Sequence, residues 1–167
     1  EIKKQLDIIK EETVAKLVEN LGSVHENVEE YKETQLEMLM KSNLSFFDFE
    51  ILFNYCKKKK IEFLLSAFDL KSLKFIKKLG CKKLKVPSGE INNIPYLRTL
   101  GSFKKKIILS TGMSDIKEIK NAVNIIIKAG TPKSSITLLH CTSEYPAQFS
   151  SLNLKAINFI KENLNMN

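Results

Sequence analysis

Four short stretches, residues 61–65, 82–86, 106–109 and 135–139, have the length and the Ile, Leu, Val and Phe content of strands. The segments between them show the three-to-four-residue apolar spacing of helices. After Asp69, read as an N-cap, Leu70, Leu73, Phe75, Ile76 and Leu79 lead to Gly80, a helix stop. After Ser114, also read as an N-cap, Ile116, Ile119, Val123, Ile126 and Ile127 mark one helical face before Gly130. Helical patterns over 92–100 and 151–164 complete a β-α-β-α-β-α-β-α order. An amphipathic segment over 44–60, with Phe46, Phe49, Leu52, Phe53 and Cys56, precedes it. Near-continuous apolar strands joined by helices of this length predict an α/β fold whose parallel sheet is covered on both faces. Two architectures satisfy that, an open doubly wound sheet and a (β/α)8 TIM barrel. No Gly-x-Gly-x-x-Gly turn follows any strand, which argues against the dinucleotide-binding version of the first. A whole barrel takes about 250 residues, so this chain would supply a partial barrel of about four or five β/α units.

Composition excludes several functional classes. With 43% hydrophobic residues among 167, the chain can bury a real core. A net charge of +8 raises the question of nucleic acid, yet Arg98 is the sole arginine, and base reading leans on arginine's planar fork. The lysine runs at 57–60 and 104–106 each precede a strand-like segment and read as solvated connections, so no nucleic-acid partner is expected. Cys56, Cys81 and Cys141 are scattered and odd in number, which suits reduced thiols in a cytoplasmic protein. No apolar run reaches bilayer length, and no membrane role is expected. The chain begins at Glu1 instead of Met, as a fragment would.

The chemically capable residues gather at one end of the expected sheet. Ser66 and Asp69 follow the first strand, and Lys85, Ser88 and Glu90 end the second. Ser110 and Thr111 end the third, and His140, Thr142, Ser143, Glu144 and Tyr145 follow the fourth. In parallel α/β folds the carboxyl ends of the strands are where active sites are built. Lys85 with the hydroxyls of Ser88, Ser110 and Ser143 makes a set suited to phosphate or carboxylate. Helix N-termini after Ser88 and Ser114 would add backbone N–H donors. Glu90 could move a proton, and Tyr145 could orient a polar substrate. The alternative remains open at this point: serines that only cap turns, and a lysine that snorkels from a strand. His140 reads as a hydrogen-bonded core histidine and Cys141 as a small buried residue.

Three motifs decide more. Lys85-Val86-Pro87-Ser88-Gly89-Glu90, Ile108-Leu109-Ser110-Thr111-Gly112-Met113 and Leu138-Leu139-His140-Cys141-Thr142-Ser143-Glu144-Tyr145-Pro146 together resemble the N-acylneuraminate (sialic acid) synthase family, which includes legionaminic and pseudaminic acid synthases. The stretch from Asp69 to Gly80 and Asn153-Leu154-Lys155-Ala156 fit the same pattern. The resemblance runs over 29–167 and leaves 1–28 as a separate charged amphipathic helical segment. It implies a barrel that condenses phosphoenolpyruvate with an N-acylated aminosugar such as N-acetylmannosamine, giving a nine-carbon 2-keto acid and phosphate. By resemblance Lys85, Ser88, Ser110 and Ser143 hold phosphoenolpyruvate, and Glu90 is catalytic and faces the sugar with Tyr145. A divalent metal, Mn2+ or Mg2+, and a homodimer are implied as well. The family's two histidine ligands would lie beyond Asn167, so no metal ligand is named here.

The departures from the pattern are specific. No Lys-Phe-Gln motif occurs in 1–28, Glu30 stands at a sugar-contacting asparagine, and Ala67 and Gln148 replace prolines. The family's C-terminal antifreeze-like domain has no counterpart. These departures predict that the 167-residue chain is a truncated form, inactive alone. Two other readings stay open: a non-catalytic remnant or interaction module of the same fold, and a Schiff-base aldolase using Lys85.

Overall fold

The computed structural model describes residues 43–144 and 146–166. The chain divides into two compact units, Glu1–Phe63 and Leu64–Asn167. The segment 1–28 and Tyr145 lie outside the described residues. In the first unit, helix α1 (Phe46–Lys58) starts at a capping box in which the Ser45 hydroxyl accepts from the Asp48 N–H and the Asp48 carboxylate accepts from the Ser45 N–H. The Ser45 hydroxyl and then the Ser45 N–H, both donating to Asp48 Oδ2, hold the Asp48 carboxyl below the usual carboxylate range. Phe53 meets Phe63 edge to face, with centroids 5.8 Å apart.

The second unit runs α2 (Leu70–Leu79), β1 (Lys83–Val86), α3 (Ile94–Ser102), β2 (Lys106–Ser110), α4 (Ile116–Lys128), β3 (Ile136–Leu139) and α5 (Lys155–Leu164). All strand pairs are parallel, in the order β1-β2-β3, with Lys85 opposite Ile108 and Ile108 opposite Thr137. The stretch 61–65, expected as the first strand, is not one. It contributes a single parallel bridge from Ser66 to Lys85 and one long bond, Lys85 N–H to Leu65 O at 3.4 Å. Apolar composition suited it to a strand, but Ile61 and Leu64 stay exposed and bury too little to extend the ladder. Four successive segments are thus neighbours in chain order with no reversal, whereas a doubly wound sheet turns back at a switch point. The fold is α/β with a parallel sheet, part of a (β/α)8 barrel.

Alternation splits the sheet into two faces. Leu84, Val86, Ile107, Leu109 and Ile136 are buried on one, with Leu73 and Ile76 of α2, Leu97 and Leu100 of α3, and Ile119 and Ile126 of α4. The other face carries Lys85, Ile108, Ser110, Thr137 and Leu139. Asp69 caps α2 by accepting from the Lys71 and Ser72 N–H groups, and Gly80 ends it at φ +91°. The Ser72 hydrogen bonds also hold the Asp69 carboxyl low. Among the described residues no helix is long and apolar enough to cross a membrane.

Tyr96 ties α3 to the segment before α2. Its side chain is fully buried, and its hydroxyl donates to Ala67 O at 2.9 Å. Burial, and then the charges of Glu90 and Asp69, push the phenol pKa up. An unfolded tyrosine ionises near pH 10, while the native one keeps its proton beyond that. Between those values the unfolded chain binds fewer protons, so stability is fully present below pH 10 and falls above it, by up to about 1.4 kcal/mol per pH unit. Tyr96→Phe should cost about 1–3 kcal/mol at neutral pH, because Ala67 O loses its buried donor. The variant should also lose less stability than the wild type between pH 9 and pH 11. Urea unfolding at the two pH values checks this; equal losses would show that the phenol does not link pH to folding.

Candidate active site

Three loops at the carboxyl ends of β1, β2 and β3 meet at Gly112. The loop after β1 turns at Pro87 into one turn of 3-10 helix, Ser88–Glu90, closed by the Glu90 N–H to Pro87 O and the Ile91 N–H to Ser88 O. The turn brings the Ser88 hydroxyl to the next loop, where it accepts from the Gly112 N–H at 2.9 Å. A Cβ built on Gly112 would lie 3.0 Å from Ser88 Oγ, 3.1 Å from Ser143 Oγ and 3.5 Å from Cys141 Cβ. Ser88 and Ser143, far apart in sequence, therefore flank one glycine whose lack of a side chain leaves the space between them.

Ser110, the last residue of β2, is 3% exposed, and its hydroxyl has no hydrogen-bond partner among the described residues. A buried hydroxyl without a partner costs free energy that a ligand accepting from it would recover. Thr111 fixes the strand end beside it: its N–H and its hydroxyl both donate to Leu139 O, at 3.0 and 2.9 Å. Lys85 lies on the same sheet face as Ser110, two positions back in register. It is half-buried, and no carboxylate pairs with its ammonium among the described residues. Glu90 is half-buried, and its Oε2 accepts from Asn93 Nδ2 at 2.7 Å.

Lys85, Ser88, Ser110, Ser143 and Glu90 all stand at this end of the sheet. Tyr145 lies outside the described residues. Other capable residues serve the frame. Glu144 accepts from the Ser151 hydroxyl at 2.8 Å and closes the 144–151 loop. His140 Nε2 donates to Leu152 O at 2.8 Å. One expectation is corrected: α4 is capped by Asp115, not Ser114. Asp115 accepts from the Lys117 and Glu118 N–H groups at 2.7 and 2.8 Å, and Glu118 accepts from the Asp115 N–H. The Asp115, Lys117 and Glu118 N–H groups expected there as anion donors are therefore already held by carboxylates. Among the described residues no cluster of three or more His, Cys, Asp or Glu could hold a metal ion. The described residues do not fit a metal centre.

Reading residue types along the chain missed Gly112 and Asn93. Gly112 has an ordinary φ and gives no local sign of its role. Asn93 could have been found as an N-cap followed by Pro95, a frequent helix opening.

Fold and site define a barrel-type α/β protein with hydroxyls and a cation gathered at its mouth. Comparison with known proteins places it further: the chain belongs to the NeuB family, matched over residues 2–167. That span takes in the 1–28 segment left outside the motif resemblance. The chain is 47% identical over 130 residues to the N,N'-diacetyllegionaminic acid synthase of Campylobacter jejuni, covering 78% of this chain and 39% of that one. It is 40% identical over 146 residues to the Legionella pneumophila enzyme of the same name, covering 86% and 41%. The solved N-acetylneuraminic acid synthetase of Leptospira borgpetersenii superposes with a TM-score of 0.72 at 30% identity, over 81% of this chain and 47% of that one. The chain thus spans about two fifths of the length of the two curated relatives.

Proposed function

We propose that the chain forms part of a sialic-acid-type synthase that joins phosphoenolpyruvate to an N-acylated aminosugar. The observation that carries this reading is the unpartnered, buried Ser110 hydroxyl, on the face that bears Lys85 and beside the Ser88–Gly112–Ser143 junction. An anion there would take hydrogen bonds from Ser110, Ser88 and Ser143 and a charge-assisted bond from Lys85. C3 of phosphoenolpyruvate then forms a bond to the aldehyde carbon of the open-chain sugar. Water adds to the cationic C2, and the C2–O bond to phosphate breaks, releasing phosphate and leaving the 2-keto group. Glu90 and Tyr145 face the sugar. The names of the Campylobacter and Legionella relatives support an aminosugar with two acetamido groups.

The test uses the full protein with phosphoenolpyruvate carrying 18O in its bridging oxygen, N-acetylmannosamine or a diacetamido hexose, and a divalent salt. Labelled phosphate released only when sugar is present supports the reading. Sugar-independent release, unlabelled phosphate, or a borohydride-trapped imine at Lys85 would overturn it.

Gly112→Ala isolates the junction. The added methyl presses on Ser88 Oγ and Ser143 Oγ, which rotate away, while the ordinary φ spares the backbone. The expected result is a KM for phosphoenolpyruvate raised about tenfold, the loss of roughly one hydrogen bond to a charged group, with a melting temperature close to wild type. An unchanged KM would remove the junction from the anion site.

A further inference from the structure

We propose that Asn93 is a positioning residue that sets the direction of the Glu90 carboxylate. The inference rests on the reading above, in which Glu90 faces the aminosugar. Asn93 uses both ends of its amide. Oδ1 accepts from the Tyr96 N–H at 3.1 Å, capping α3, and Nδ2 donates to Glu90 Oε2 at 2.7 Å. The amide cannot swap its ends, because a flipped NH2 would oppose the Tyr96 N–H. The helix cap therefore dictates that a donor faces Glu90. The Asn93 N–H also donates to Glu90 O at 3.1 Å, so backbone and carboxylate of Glu90 are held by the same residue.

The turn itself is anchored on both sides. Asn92 Nδ2 donates to Glu118 Oε1 at 3.1 Å, and Glu118 belongs to the capping box of α4. Tyr96, which Asn93 caps, is fixed through its hydroxyl to Ala67 O. With Oε2 occupied by Asn93, Oε1 of Glu90 has no partner among the described residues and is the oxygen left for a sugar hydroxyl or a proton.

Serine preserves a good N-cap but is too short to reach Glu90, and aspartate preserves the cap while setting a like charge against Glu90. In the full protein, Asn93→Ser should lower kcat/KM for the aminosugar about thirtyfold, leave KM for phosphoenolpyruvate within twofold, and shift the melting temperature by no more than a few degrees. Asn93→Asp should fall at least as far. In a Glu90→Gln background, adding Asn93→Ser should cost less than threefold more, since a residue acting through Glu90 has nothing left to act on. Aminosugar affinity by calorimetry closes the same cycle where turnover is too slow to follow. Full additivity in the double variant, or wild-type kinetics in Asn93→Ser or Asn93→Asp, would overturn the positioning role. Absence of any turnover by the wild type overturns the synthase reading, and the inference with it; turnover with an additive cycle overturns the inference alone.

Discussion

A Gly101→Val protein should fail to hold α3 against α4. A Cβ at Gly101 would stand 2.6 Å from Ile126 O and 2.7 Å from Ala129 Cβ, and the first of these is backbone that cannot rotate away. The two helices must separate, which opens the layer of Leu97, Leu100, Ala122 and Ile126, all fully buried. It also strains the bond from the Thr131 hydroxyl to Gly101 O, 2.8 Å long and fully enclosed. Overpacking of this kind costs about 3 kcal/mol or more. For a chain of this size that lowers the melting temperature by roughly 10 °C. Gly89→Ala is the control, because nothing lies within 4 Å of its added Cβ. It should stay within about 1 kcal/mol of wild type. Thermal and urea unfolding compare the two, and a Gly101→Val protein that melts within 2 °C of wild type would show that α3 and α4 do not depend on a bare glycine at their crossing.

Lys85→Met should have the largest effect on binding. Methionine keeps much of the aliphatic stem and removes the only cation that the described part of the site offers an anion. Truncating one partner of a partly desolvated charge pair costs about 2–5 kcal/mol, so kcat/KM for phosphoenolpyruvate should fall roughly 10²–10³-fold. Stability should change by no more than about 0.5 kcal/mol, because among the described residues no carboxylate depends on Lys85. Steady-state kinetics and calorimetric titration with phosphoenolpyruvate measure the effect. A change of less than threefold would take Lys85 out of the site.

Much of the fold is legible because local signals agree with it. Asp69 and Gly80 bracket α2 as read, since an N-cap carboxylate and a left-handed glycine act within one turn. The three strands fall within a residue of their expected bounds. Two errors have physical causes. Ser114 and Asp115 are both good N-caps, and the choice is made three residues on, where Glu118 can close a box with Asp115 while Lys117 cannot with Ser114. The 61–65 stretch has strand composition, but a strand exists only through its neighbours, and this one gains a single bridge. The site was half legible. Residue types and the carboxyl-end rule gathered Lys85, Ser88, Ser110 and Ser143 in one region. The junction at Gly112 depends on tertiary approach, which leaves no trace in local spacing; Asn93 was legible as a helix cap, but its hold on Glu90 depends on the geometry of the turn between them.

The lone bridge at Ser66 gives the sheet an uneven seam. On the far side of β2, Leu139 O takes two donors from Thr111, so the strand bearing Ser110 is clamped. On the near side, the amide of Lys85 reaches Leu65 O across 3.4 Å and little else joins the two segments. Lys85 thus stands on the strand whose outer edge is loosely stitched, while Ser110 stands on a strand paired along both edges. A bound anion reaching from β1 to β2 would brace that open outer edge, so that amide hydrogen exchange would slow first at Lys85 and its neighbours and hardly at all at Thr111.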